Sequence, residues 1–292
     1  MMQWPHSADR VEVGSRIIVD SQIHLWPPKS KDRPWSEGRG QLYPSFSLGR
    51  YLDLAQGSGV HRALIIPPAV DATRIDYAKT ALAHFPERFR IVAFVEPHLP
   101  EQEILFQDWK NDKDILAIRS SILDGRQDIL HNGSTDWLWA AAERYHLPLM
   151  FAQTSQLETI ETIVERHPDL ILILDHFGLS EATIRKGLAA STINAAVSLA
   201  KYPNVSVKLS SSAALSTQAY PWHDLDDYIY RLVEAYGPQR CYWGSDITAS
   251  LSKSDATYRQ RVTHFTDELG FLSEEDKDWI MGRALMERLG WD

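Results

Sequence analysis

The chain has 292 residues, of which 44% are hydrophobic and 24% charged, and its formal net charge is −9. An acidic chain of ordinary globular composition is a poor partner for nucleic acid or for an anionic membrane surface, so we expect neither. A single cysteine, Cys241, excludes an intramolecular disulfide and agrees with a reducing compartment, so we expect a cytoplasmic protein. No secretory signal and no apolar run long enough to span a bilayer are recognisable.

Short apolar runs rich in Val, Ile and Leu recur eight times, separated by stretches with helical periodicity. This alternation is typical of buried parallel strands in repeated βαβ units. The predicted strands are Ile17–Val19, Arg62–Ile66, Ile91–Val95, Ile115–Ile118, Pro148–Phe151, Leu170–Leu174, Val205–Leu209 and Cys241–Gly244. Eight units predict one α/β domain over residues 1–292, a TIM-like (β/α)8 barrel at about 17–291 after a short extension. A doubly wound open sheet is the alternative, but no Gly-rich phosphate loop follows the first strand.

Helix-end signals mark the last predicted helix, and a proline-rich segment follows the first strand. Ser273 is placed to begin that helix and Gly290 to end it. The segment Pro27–Pro44 predicts a long irregular loop. Because βα loops build the active sites of barrels, we expect this loop to lie over the carboxyl end of the barrel.

Polar residues at three strand ends are the candidates for chemistry. The first strand runs into Asp20, Gln22 and His24, which a two-residue period places on one face. The sixth strand leads to His176 and the eighth to Asp246. Taken singly, each has a structural explanation, as a hydrogen-bonded histidine or a helix cap. Because barrel enzymes keep their catalytic groups at this rim, we expect two imidazoles and a carboxylate to converge there, as a metal site or an acid–base cluster.

Cationic and polar side chains near the same rim are candidate substrate contacts. Arg119 ends the fourth strand without an acidic partner nearby in sequence, so we expect it to grip a substrate carboxylate. Lys208 is either a second substrate contact or half of an internal ion pair with Asp20 or Asp175, because a buried charge is costly unless paired. Weaker candidates are Gln153, Tyr220 and Trp26.

Four motifs in register carry a resemblance to a known family: VDSQIHLW, ILDHFG, VKLS and YWGSD, followed by the carboxyl-terminal MGRALMERLGW. In this order and spacing they resemble the amidohydrolase-2 family of the amidohydrolase superfamily. That family includes pyrone-dicarboxylate and sugar-acid lactonases and, more distantly, a semialdehyde decarboxylase. The resemblance implies a barrel hydrolase in which Asp246 deprotonates the attacking water beside His24 and His176.

The chain departs from the family pattern at two places. The first strand of the family usually carries His-x-His, and Gln22 stands here at the first of those histidines. An amide is a poorer zinc ligand than an imidazole, so we expect one divalent ion, zinc or manganese, bound weakly, or no ion at all. Its ligands would be His24, His176 and Asp246, with Gln22 a weak fourth. Ile247 and Thr248 also replace the Trp-Pro that follows the aspartate in many relatives.

These expectations combine into a hydrolase that opens a small lactone, or a related cyclic or activated acyl compound, bearing a carboxylate or hydroxyls. A metal-dependent nonoxidative decarboxylase is the main alternative, and an amide hydrolase is the next. A barrel that has lost activity and serves only for binding is disfavoured because His24, His176, Asp246 and Arg119 are all present. The expected partner is a small-molecule substrate, and the oligomeric state, a homodimer included, stays open.

Overall fold

The computed structural model describes residues 16–36, 43–122, 126–153 and 157–292. Its strands are β1 (Val19–Ile23), β2 (Arg62–Ile65), β3 (Phe89–Phe94), β4 (Ile115–Ile122), β5 (Leu149–Gln153), β6 (Leu172–Leu174), β7 (Val205–Ser210) and β8 (Cys241–Gly244). Its α-helices are α1 (Leu48–Ala55), α2 (Asp76–His84), α3 (Phe106–Asn111), α4 (Asp136–Arg144), α5 (Leu157–Arg166), α6 (Glu181–Arg185), α7 (Ala189–Ser198), α8 (Ser212–Leu215), α9 (Asp226–Tyr236), α10 (Tyr258–Thr263), α11 (Glu274–Asp278) and α12 (Ala284–Leu289). Short 3₁₀ helices cover Ala69–Asp71, Pro100–Leu105, Gln127–Leu130, His176–Gly178, Leu199–Lys201, His223–Leu225, Pro238–Arg240 and Ala249–Ser252, and π-helical turns cover His264–Glu268 and Trp279–Arg283.

The eight strands form one parallel sheet in chain order, from β1 to β8. A parallel bridge between Ile23 and Ile247 joins the two edges, and the amide of His24 donates to the carbonyl of Ile247 at 2.6 Å. The sheet therefore curls round on itself, with helices between the strands. The predicted (β/α)8 barrel is confirmed.

Strand β1 differs from its prediction in position and in side-chain alternation. It overlaps the predicted Ile17–Val19 only at Val19, because its buried polar residues hide it from a search for apolar runs. Against β2, Val19 pairs with Arg62, Asp20 with Ala63 and Ile23 with Ile65, so β1 has one extra residue. This bulge breaks the two-residue period. The prediction that Asp20 and Gln22 share a face is wrong.

The barrel interior is apolar at the amino ends of its strands. Val19, Leu64, Val92, Ala117, Met150, Ile173 and Tyr242 pack there against Ala284, Leu285, Leu289 and Trp291 from the end of the chain. Helix α12 thus closes this end of the barrel. Gly282 allows the approach, because a Cβ at that position would clash with the carbonyl oxygen of Ile17. The side chains around Asp246 lie at the opposite, carboxyl end.

The capping residues predicted for the end of the chain, Ser273 and Gly290, are confirmed. Ser273 caps α11 through a reciprocal capping box with Asp276, and Gly290 ends α12 in the left-handed conformation. The loop after β1 is closed at its base by a bridge between Trp26 and Phe46; residues 37–42 of it lie outside the described part. No helix in the described ranges combines the length and apolarity needed to cross a membrane.

Candidate active site

Asp246 lies two residues beyond the end of β8, with its carboxylate buried among donors at the carboxyl ends of β1 and β7. Its Oδ1 accepts a hydrogen bond from Gln22 Nε2 at 2.9 Å and lies 3.3 Å from His24 Nε2. Its Oδ2 accepts from Ser211 Oγ at 2.8 Å. The backbone of Asp246 is left-handed, with φ of 56°, a conformation that costs a non-glycine residue energy and is concentrated at functional sites.

The same contacts keep Asp246 ionised. Burial alone would raise the pKa of its carboxyl group, but the charge of His176 and the hydrogen bonds from His24 and Ser211 outweigh it. The net result is a pKa well below the ordinary value for aspartate. The carboxyl group of Asp246 is therefore ionised at neutral pH.

His24 has a defined tautomer when neutral. Its Nδ1 lies 2.8 Å from the carbonyl oxygen of Ile66, which can only accept, so Nδ1 carries the proton. Its Nε2 then accepts a hydrogen bond from the amide nitrogen of Gln22 at 3.2 Å. When Nε2 is protonated as well, that proton faces Asp246 Oδ1. His24 can thus exchange a proton with the carboxylate.

His176 follows β6 with φ of 53°, and Phe177 after it has φ of 62°. These two left-handed residues turn the chain sharply, and Nδ1 of His176 lies 2.9 Å from Ser210 Oγ at the end of β7. Burial lowers the pKa of His176 below its ordinary value, although Asp246 and Asp175 act in the opposite direction. Burial therefore favours the neutral imidazole, whereas a proton on His176 would lower the pKa of Asp246.

Asp175 is the common partner of both predicted cations. Lys208 Nζ forms an ion pair with its Oδ1 at 2.9 Å, and Arg119 Nε donates to its Oδ2 at 2.7 Å. Burial would raise the pKa of Asp175, but Lys208 and Arg119 lower it well below the ordinary value. No acidic partner lies near Arg119 in sequence, but the fold supplies Asp175 from 56 residues away. The prediction that Arg119 ends the fourth strand is wrong, because β4 continues to Ile122. For Lys208 the internal ion pair is realised, with Asp175 and not with Asp20.

Two of the weaker candidates, Trp26 and Tyr220, make their recorded contacts elsewhere. Trp26 is buried with its ring stacked on Phe46, centroids 5.9 Å apart. The hydroxyl of Tyr220 is engaged by Thr263 at 2.8 Å and by Glu268 at 3.0 Å. The backbone of Gln153 ends β5, and its side chain lies outside the described part.

A family model described as Amidohydrolase matches residues 19–284 of the chain. The chain belongs to the amidohydrolase-2 family. No curated protein sequence matches it.

Solved structures with the same fold cover nearly all of this amidohydrolase. One is an amidohydrolase from Burkholderia multivorans with bound zinc, 18% identical, with a TM-score of 0.77 and coverage of 94% of this chain and 99% of that one. Another is a protein provisionally named a 2-pyrone-4,6-dicarboxylic acid hydrolase from Pseudomonas putida, 20% identical, with a TM-score of 0.75 and coverage of 95% and 99%. A third is 5-carboxyvanillate decarboxylase from Sphingomonas paucimobilis, 13% identical, with a TM-score of 0.65 and coverage of 94% and 99%. At these identities the likeness is one of fold.

Three side-chain atoms of this amidohydrolase are spaced like the ligands of a zinc ion, but one of them, the amide nitrogen of Gln22, is not a zinc ligand. The three atoms Gln22 Nε2, His24 Nε2 and Asp246 Oδ1 lie 2.9 to 3.3 Å apart, close to the ~3.3 Å that separates donor atoms around tetrahedral zinc with bonds of about 2.05 Å. The amide, however, presents N–H groups in place of a lone pair. Among the described residues, no group of three His, Cys, Asp or Glu side chains is placed to hold a metal. The side chains as arranged do not fit a divalent ion.

Sequence reasoning missed Ser211 and Gly244 as parts of the site, and it did not predict the contacts that Asp20 makes. Asp20 accepts from the amide of Ser245 at 2.9 Å and from Tyr258 Oη at 2.6 Å, so it fixes the turn that leads to Asp246. A Cβ on Gly244 would clash with Ser21 Oγ, which explains the glycine of the YWGSD motif. The serine after VKLS could have been noticed from its strand-end position, but its contact with Asp246 spans 35 residues.

Proposed function

We propose that this amidohydrolase opens a small lactone, or a related cyclic acyl compound, that carries a carboxylate, with Asp246 as the general base. The observation that carries the proposal is the Asp246 carboxylate, held ionised by Gln22, His24 and Ser211 at the carboxyl end of the barrel. A buried carboxylate with fixed orientation beside two imidazoles suits activation of a water molecule.

The reaction follows from the positions of these groups. Asp246 takes a proton from water, and the resulting hydroxide attacks the carbonyl carbon of the lactone. His176, which is neutral and can donate from one ring nitrogen, stabilises the developing oxyanion. The ring C–O bond breaks, and the proton returns to the alkoxide or enolate oxygen from Asp246, directly or through His24. The product is a hydroxy acid or its keto tautomer, with one water added.

Arg119 is the proposed anchor for the substrate carboxylate. Its side chain is 13% exposed, and the one hydrogen bond recorded for it among the described residues leaves from Nε to Asp175. A guanidinium held in this way by Nε keeps its two terminal nitrogens for a carboxylate. Lys208 is fully buried and is not part of this contact.

A substrate screen tests the proposal. Purified protein is incubated with 2-pyrone-4,6-dicarboxylate, sugar-acid lactones, carboxamides and aromatic carboxylates, with and without EDTA. We expect acid release in a pH-stat from a carboxylated lactone, with the rate unchanged by EDTA. Release of carbon dioxide from an aromatic carboxylate, abolished by EDTA, would instead establish the decarboxylase alternative.

Asp246→Asn tests the base directly. The substitution keeps the shape of the side chain but removes the proton acceptor, so kcat should fall on the order of 10² to 10⁴-fold. Circular dichroism and the melting temperature check that the fold is retained. Asp108→Asn, at an exposed position of α3, is the matched control and should keep the parent rate. Near-parent turnover by Asp246→Asn contradicts the assignment.

A further inference from the structure

Lys208 is a buried charge that the proposed reaction does not use. Its side chain has 0% exposure, it donates to Gln22 Oε1, and Met150 Sδ lies 3.8 Å from Nζ. Replacing a buried ion pair by apolar residues of similar volume is often neutral or stabilising. The pair with Asp175 is therefore weak evidence for a role in stability, and the position calls for another reason.

Gln22 connects this ammonium to Asp246. Lys208 can only donate and the Asp246 carboxylate can only accept, so the amide must turn its oxygen to Lys208 and its nitrogen to Asp246. The contacts follow this order, with Gln22 Nε2 2.9 Å from Asp246 Oδ1. A cation on the amide oxygen polarises the amide and makes its N–H groups stronger donors. The charge of Lys208 therefore strengthens the hydrogen bond from the Gln22 side chain to Asp246 Oδ1.

The other oxygen of Asp246 is held independently. Ser211 Oγ donates to Oδ2 at 2.8 Å, from a residue whose φ of 69° is itself left-handed. With Oδ1 held through Gln22 and Oδ2 by Ser211, the plane of the carboxylate is set from two sides. Loss of either contact should let the carboxylate rotate.

We propose that Lys208 is a positioning residue that orients Asp246 through Gln22. Its ammonium group is the built-in cation of this site and supplies the positive charge that a divalent metal ion would otherwise supply. Its effect on turnover rests on the proposed function. Its effect on metal binding does not, because an ammonium fixed beside Gln22 repels a second cation whatever the reaction is.

A double-mutant cycle tests the connection. Lys208→Met and Gln22→Met should each lower kcat on the order of 10 to 100-fold, the usual cost of losing a group that orients a catalytic side chain. KM should stay within about twofold, because binding energy is not what was removed. The double variant should lose no more than either single variant, since both break one connection. Losses that multiply, or a rise in KM alone, overturn the connection.

A charge-neutral variant guards against simple misfolding. Lys208→Met combined with Asp175→Asn removes both charges of the buried pair and leaves an amide oxygen for Arg119 Nε. Because Asp175 keeps Arg119 as its partner in Lys208→Met alone, both variants should retain most of the unfolding free energy in urea, while kcat stays low in both. Recovery of kcat together with stability would mean that Lys208 is only structural.

Zinc titration tests the built-in cation without any substrate. Calorimetry with zinc chloride compares the parent, Gln22→His, and Gln22→His combined with Lys208→Met. We expect no stoichiometric binding to the parent, and an affinity at least about tenfold higher for the double variant than for Gln22→His. Equal affinities of the two variants, or stoichiometric zinc in the parent, overturn the proposal. This result stands even if no lactone is hydrolysed, so failure of the two proposals can be told apart.

Discussion

At the scale of single residues, the buried carboxylate of Asp175 is shared between Lys208 and Arg119. Each oxygen has its own cation, at 2.9 Å and 2.7 Å. The proposals above give these two cations different roles although they share a partner. Lys208 is sealed from solvent, whereas Arg119 is partly exposed.

Replacing Arg119 separates these tasks. Arg119→Met keeps much of the packing of the stem and leaves Asp175 paired with Lys208, so the fold should hold. KM for a carboxylated lactone should rise roughly 30-fold or more, equivalent to about 2 kcal/mol, with a smaller change in kcat. Steady-state kinetics measures both constants, and Arg185→Met, at an exposed position of α6, serves as control. An unchanged KM would remove Arg119 from the substrate site.

At the scale of elements, the segments after β7 and β8 pack together through a buried histidine. His264, in the π-helical turn after α10, is fully buried, and its ring lies 5.0 Å from Trp222 and 5.1 Å from Phe265. Neither ring nitrogen has a hydrogen-bond partner among the described residues. Burial lowers the pKa of His264 to about 4. This contact should therefore weaken in acid.

The sign of this effect can be worked out. The unfolded chain takes up a proton at this histidine near pH 6.5, but the folded chain does so only near its pKa of about 4. Between these values the unfolded state binds more protons. The unfolding free energy therefore decreases as the pH is lowered, by up to about 3 kcal/mol in all. His264→Phe should flatten this dependence. Urea unfolding at pH 4.5 and 7.5 measures it, with the exposed His84→Gln as control; an equally steep dependence in His264→Phe contradicts the assignment.

At the scale of the whole molecule, the barrel has an apolar floor and a polar mouth. Helix α12 closes the floor with Leu285 and Leu289, and the side chains around Asp246 lie at the other end. Substitutions in the floor should therefore change the stability of the fold, whereas substitutions around Asp246 should change activity.

Leu285→Ala tests this separation. Leu285 is 1% exposed within the barrel floor, and the cavity left by its truncation should lower the unfolding free energy by about 2 to 5 kcal/mol. Under conditions where the variant is folded, kcat and KM should equal those of the parent. Leu188→Ala, at a position 47% exposed, should change stability by less than about 0.5 kcal/mol. Loss of activity without loss of stability in Leu285→Ala would contradict the separation.

The sequence by itself determined the barrel and the strand ends that carry His24, His176 and Asp246. Hydrophobic runs and helix signals are local, and the carboxyl rim of a parallel barrel gathers whatever follows its strands. Only the tertiary structure decided the orientation of Asp20, since a one-residue bulge in β1 reverses the face that a regular period predicts. It also decided the partners of Asp175 and Asp246, which lie 33 to 224 residues away. Such contacts depend on the three-dimensional register of distant strands, which no local pattern of residues encodes.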